Sequence, residues 1–197
     1  MVSRRFVVFG LATLPLLPPR LGAEPADPAI RLVEAARAQI GVTTSYDGSY
    51  RRMAYPDGDV EAERGVCTDV VIRAYRAALG IDLQRLVHED MAADFDAYPR
   101  QWGLSRPDRN IDHRRVPNLM AFFKRQGAAL PPAGALRPGD LVTQMIGGRL
   151  PHISIVSDRH ARGRPFVIHN IGAGTEYADI LEQFPVTGRF RYLPAVA

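Results

Sequence analysis

The sequence predicts an α+β fold, with helices first and an antiparallel sheet after them. Three observations carry this. Apolar residues recur at helical spacing up to about residue 126, the period shortens to that of strands after residue 135, and no repeat or composition break divides the chain.

The elements follow from local signals. Asp27-Pro28 offers a cap and a proline for a first helical position, predicting a helix to Gln39-Ile40 that Gly41 stops. Residues 41–66 read as irregular, with Tyr46, Tyr50 and Tyr55 among Gly, Pro and Asp. A second helix follows Gly65, because Val70, Val71, Ala74, Ala78 and Leu79 keep helical spacing before Gly80. The pattern resumes from Leu83 to Phe95 through Leu86, Val87 and Met91. A polar, proline-punctuated stretch spans Tyr98–Val116, and Pro117 then opens a helix over Asn118–Gln126. Short strands are expected at Asp140–Ile146, Ile153–Val156, Phe166–Ile168 and Gly188–Leu193.

Composition narrows the function classes. A chain of 197 residues that is 46% hydrophobic and 23% charged is neither disordered nor a disulfide scaffold, and it is long enough for a real core. The net charge of +4 is not a nucleic-acid signal. Three of those charges (Arg4, Arg5 and Arg20) sit in an acid-free N-terminal stretch, leaving +1 for the rest, and Lys124 is the only lysine. That stretch, residues 1–23, reads as a signal peptide: a basic start, the apolar run Phe6–Leu17, and Leu21-Gly22-Ala23 as a cleavage point. The expectation is an exported, periplasmic protein of one domain, residues 24–197, with no stable membrane anchor once the leader is removed.

Export gives the single cysteine weight, since one Cys cannot form an internal disulfide and a free thiol is a liability in an oxidising compartment. Cys67 is predicted in the first turn of its helix, where unpaired N–H groups and the dipole lower a thiol pKa. The competing reading is a small core residue, since Cys67, Val71, Ala74 and Ala78 share a face. Among the five histidines, His160 reads as solvated, His88 lacks the second His of a zinc-protease helix, and His113 is ambiguous. His152 and His169 flank two predicted strands. A hairpin around the 158–164 turn sets His152 opposite His169, Ile153 opposite Ile168 and Val156 opposite Pro165, so that one imidazole orients the other. Nucleophile, base and orienting group form the set a cysteine acyl-transfer catalyst needs.

The chain resembles known proteins at these residues. Cys67 at a helix start, Leu136-Arg137-Pro138-Gly139-Asp140-Leu141-Val142, His152-Ile153-Ser154-Ile155-Val156 and Phe166-Val167-Ile168-His169 resemble the NlpC-type papain-like peptidases of bacterial cell walls. Tyr55-Pro56-Asp57-Gly58-Asp59, Gly65-Val66-Cys67-Thr68-Asp69-Val70, Asn110 through Leu119 and His169-Asn170-Ile171-Gly172 are similar to an exported bacterial family described only as a domain of unknown function, numbered 1287. The resemblance spans about residues 28–193. It implies a papain-like fold, Cys67 as nucleophile, His152 as general base, His169 as orienting residue, and a tyrosine near the oxyanion, Tyr55 with Tyr46 as rival. It implies peptidoglycan stem peptide, or another peptide or amide, as substrate, and no cofactor. Where that superfamily usually has Asp-Cys-Ser-Gly, this chain has Val66-Cys67-Thr68-Asp69, which bears on substrate preference. Asp69, Trp102, Arg106, Arg109, Asp112, His113 and Arg114 are the candidate contacts to an acidic peptide. Alternatives are a non-catalytic wall-binding module, an amidase or acyltransferase with another acyl substrate, and a metal protein using His152, His169 and His113 or Asp112.

Overall fold

A computed structural model describes residues 27–194, so the predicted leader lies outside the described residues. The architecture is α+β, with N-terminal helices packed on a C-terminal antiparallel sheet, as the sequence predicts.

Helix α1 (Pro28–Arg37) begins where expected, with Asp27 accepting from the Ala29 N–H at 2.9 Å, and ends short of Gln39-Ile40. Two short strands, β1 (Ser45–Tyr46) and β2 (Arg64–Gly65), then pair in parallel and flank the irregular segment. Helix α2 (Cys67–Leu79) follows, closed by Gly80 in the left-handed region at φ 64°. Helix α3 (Leu83–Ala93) ends two residues before the expected Phe95, which instead enters a 3₁₀ turn, Phe95–Ala97. Helix α4 (Val116–Arg125) carries Pro117 in its first turn, where a missing N–H costs nothing.

Helix α2 is the structural axis. It packs against α1 on one side and strand β4 on the other, and Val71, Ala74 and Tyr75 are fully buried with Leu32, Val33, Ile153 and Ile155. Beside it Phe123 contacts Phe122, Phe190 and Tyr192 with ring centres 5.5–5.6 Å apart, joining α4 to the far edge of the sheet.

The sheet comprises β3 (Leu141–Ile146), β4 (Leu150–Ala161), β5 (Arg164–Asn170), β6 (Thr175–Ala178) and β7 (Val186–Phe190), in the order β6-β5-β4-β3-β7. Strand β4 is far longer than the expected Ile153–Val156, and β6, β1 and β2 were not predicted. The hairpin register also differs from the expectation. Ile155, not Ile153, faces Ile168, and Val156 faces Val167. The turn is a tight one at Arg162-Gly163, both with positive φ (53° and 79°), as a two-residue hairpin turn requires. An irregularity between Val156 and His160 takes up the difference. The displacement from the predicted pairing is two residues, and side chains alternate with period two, so each keeps its face. Among the described residues no helix is long and apolar enough to cross a membrane.

Candidate active site

Cys67 is the first residue of α2, after Val66 in extended backbone (ψ 179°). A helix start leaves N–H groups without partners. Asp69, in the first turn, reaches back and accepts from the Val66 N–H at 2.7 Å, fixing the entry of the chain into the helix. The thiol is buried, Cys67 being 3% exposed, and it lies at the backbone of Ile153, the residue after His152. This brings the helix start against the beginning of β4.

The electrostatic outcome reverses the expectation of a low thiol pKa. Burial pushes Cys67 up to about 11 and the Asp69 charge adds to the rise, while backbone hydrogen bonds with Ile153, Thr68 and Cys67 itself pull the other way. Desolvation of the charged form outweighs the helix dipole here.

His152 and His169 meet as expected, although not as directly opposed residues. They are diagonal neighbours on one face of the β4–β5 hairpin, with His152 Nε2 and His169 Nδ1 2.9 Å apart and the rings edge to face at 82°. Both are buried. Burial, and for His152 also the neighbouring ring, lowers His152 to about 3, and burial lowers His169 to about 4. Thiol and imidazoles are therefore all neutral at pH 7.

Asn170, the last residue of β5, ties this hairpin to the cysteine segment. Its Nδ2 donates to the Gly65 carbonyl at 3.0 Å, and its Oδ1 accepts from the Gly172 N–H. The sequence reading assigned it no role. The signal was its place immediately after His169, where an amide can hold a neighbouring backbone.

A cleft of ≈ 480 Å³ opens beside the thiol. Tyr46, Tyr50, Trp102 and Pro151 contribute to its walls, with Cys67 and Arg114. The two candidate tyrosines take different places. Tyr46 lines the cleft; desolvation, then the proximity of Cys67 and Asp69, raises its phenol to about 12, so it is a hydrogen-bond donor at neutral pH. Tyr55 instead packs edge-on against His88 at 5.1 Å and lies under the Arg109 guanidinium at 5.5 Å. Its segment is docked on the start of α3, where Gln84 accepts from the Gly58 N–H and donates to the Ala54 and Arg109 carbonyls. Gly58 is required there because a Cβ would fall 2.2 Å from the Ala54 oxygen.

The candidate substrate contacts divide. Trp102 lines the cleft, with the Arg115 guanidinium stacked 4.1 Å from its ring centre. Arg109 is engaged on Tyr55 and is not part of the cleft wall. Asp69, Asp112 and His113 are buried. The Asp69 and Arg114 side chains, 4% and 1% exposed, form a two-point ion pair at 2.8 and 2.9 Å. Arg114 donates further to the Asp47 and Ser49 carbonyls, clamping the Tyr46 loop to the first turn of α2. Asp112 holds Arg115 at 3.1 Å and accepts from the Asp108 N–H. His113 is lowered to about 3 by burial and next by Arg114, and its Nδ1 has no hydrogen-bond partner. Among the described residues no group of three or more His, Cys, Asp or Glu is arranged to hold a metal ion.

A buried cysteine at a helix start, set against a strand that carries one of two hydrogen-bonded histidines, defines a candidate cysteine–histidine site on an α+β scaffold. Residues 33–192 match DUF1287, a domain of unknown function, and the chain belongs to that family. It is 48% identical over 182 residues to the uncharacterized protein YijF of Escherichia coli (strain K12), covering 90% of this chain and 88% of that protein. Two solved structures from Trichomonas vaginalis are similar in shape. NlpC1 has a TM-score of 0.47 at 17% identity over 87% of this chain, and NlpC2 0.44 at 14% over 86%. This chain spans 46% and 48% of their lengths, about half.

Proposed function

We propose that this protein is an exported, papain-like cysteine hydrolase that cleaves an amide bond in peptidoglycan stem peptides through a thioester on Cys67. The observation that carries the reading is the alignment of three groups: Cys67 at the backbone of Ile153, His152 next in sequence, and His169 2.9 Å from His152, beside an open cleft.

The neutral resting state sets the order of events. With His152 donating from Nε2 to His169 Nδ1, its Nδ1 keeps the lone pair that a general base needs. As Cys67 Sγ forms its bond to the amide carbon, the thiol proton passes to His152 Nδ1 and the carbonyl π electrons move to oxygen. The resulting oxyanion meets the backbone N–H groups of the helix start that border the thiol, and the Tyr46 hydroxyl, replacing Tyr55 in that role. The C–N bond then breaks, and His152 returns its proton to the leaving amine. Water attacks the thioester with His152 again as base, releasing the carboxylic acid and regenerating the thiol. His169 holds the ring of His152 in place and accepts the hydrogen bond that stabilises its cationic form.

The test is to incubate the mature chain and a Cys67→Ala variant with purified sacculi and identify released fragments by mass spectrometry. New muropeptides that depend on Cys67 are expected, and they name the bond. Identical fragment profiles from two proteins that both bind sacculi would instead favour a wall-binding module.

A further inference from the structure

The cleft beside Cys67 has an unusual charge balance for a site meant to hold an acidic peptide. Its charged lining residues are Arg114 and Arg115, and each is already matched by a carboxylate from beneath. Arg114 is bound at two points by Asp69 and spends its remaining contacts on the Asp47 and Ser49 carbonyls. Arg115 is held by Asp112, with its guanidinium spread over the Trp102 ring. The walls themselves are aromatic and apolar. Tyr46, Tyr50 and Trp102 are 48%, 58% and 36% exposed, large values for such side chains. Tyr50 is fixed by its hydroxyl, which donates to Asp108 at 3.0 Å and accepts from Asn110. The other polar wall groups, the Gln101 amide and the Tyr46 phenol, are neutral.

A carboxylate entering such a cleft loses water and meets cations whose charge is already neutralised, and that desolvation is costly. A carboxamide of the same shape pays far less, and it finds a donor and an acceptor in Gln101 and Tyr46. We propose that the cleft selects a carboxylate-free acyl donor: in a stem peptide, one whose carboxyl groups flanking the scissile amide are present as carboxamides. The inference rests on the hydrolase reading for its choice of peptide, and on the ion pairs for its choice of charge.

The experiment uses two synthetic stem peptides that differ only in a flanking carboxylate or carboxamide. Their binding to the Cys67→Ala protein is measured by calorimetry, and their turnover by the wild type is measured separately. The carboxamide peptide is expected to bind at least about tenfold tighter and to have the higher kcat/KM. Equal or tighter binding of the free acid overturns the selectivity, and so does a preference left unchanged by Asp112→Asn, which releases the Arg115 charge and is expected to erase it. Tight carboxamide binding without cleavage sustains the selectivity and sinks the hydrolase reading. Absence of binding by both peptides overturns the two together.

Discussion

Asp69 holds the helix of Cys67 by its first turn and Arg114 by its charge, and the pair is almost wholly out of water. Removing one member strands the other, a change that typically costs about 3–5 kcal/mol. Asp69→Ala and Arg114→Met are therefore each expected to shift urea denaturation by that amount. The double variant should be less damaged than the two losses combined, and strict additivity would show that the pair does not interact. At Cys67 the raised pKa gives a second expectation. Alkylation by iodoacetamide should climb about tenfold per pH unit from neutrality and continue past pH 9, since the thiolate fraction keeps rising toward about 11. A rate that levels off near neutral pH would mean that the dipole and His152 dominate burial. Cys67 and the two histidines were legible in the sequence because residue type and local pattern suffice to nominate them. The Asp69–Arg114 pair was not, because its partners lie 45 residues apart and Asp112-His113-Arg114-Arg115 has the composition of a solvated turn.

At the scale of elements, the helices could be read closely because each carries its own start and stop, such as Asp27-Pro28 before α1 and Gly80 after α2. The strands were read too short. Strand β4 runs through Leu150-Pro151-His152 and on to Arg159-His160-Ala161, where exposed ends break the apolar alternation that marks a strand. Strand β6 is four residues at a sheet edge, too brief for a pattern. The register depended on a turn of two residues where seven were expected, and no local signal fixes where a bulge will absorb the excess. Tyr46 and Tyr55 occupy equivalent-looking loop sequence. What separates them is a tertiary fact, the docking of residues 54–58 on Gln84. The element-level prediction concerns Asn170, which bridges β5 to the backbone before Cys67. Asn170→Ala removes one of two donors to the buried Gly65 carbonyl, which keeps the Asp47 N–H, a loss of about 0.5–1.5 kcal/mol. Amide hydrogen exchange should accelerate at the start of α2 more than in β3 or β7. Uniform acceleration across the sheet would mean that Asn170 supports the whole fold and not the site.

Over the whole molecule, buried histidines make stability depend on pH. His113 and His152 are held near 3 and His169 near 4, against about 6.5 in an unfolded chain. The unfolded state therefore binds more protons than the folded state between these values. Stability from these groups is fully present above about pH 6.5 and is lost as pH falls toward 4, by up to about 1.4 kcal/mol per pH unit for each histidine. Denaturation midpoints should drop steadily from pH 7 to pH 5, and His113→Gln should flatten the slope. A flat profile in the wild type would show that the rings take up protons without unfolding.

The candidate nucleophile and base are also remote along the chain. Cys67 belongs to the helical half and His152 and His169 to the half that follows α4, and the Asn170 amide, bonded to the Gly65 carbonyl, is one of the groups that join the two beside the thiol. A ribosome must carry synthesis past α4 and through β5 before both halves exist, and a chain still unfolded places no imidazole beside the thiol. The cysteine–histidine arrangement is thus withheld from every nascent or degraded form of the chain and exists only after both halves have folded together.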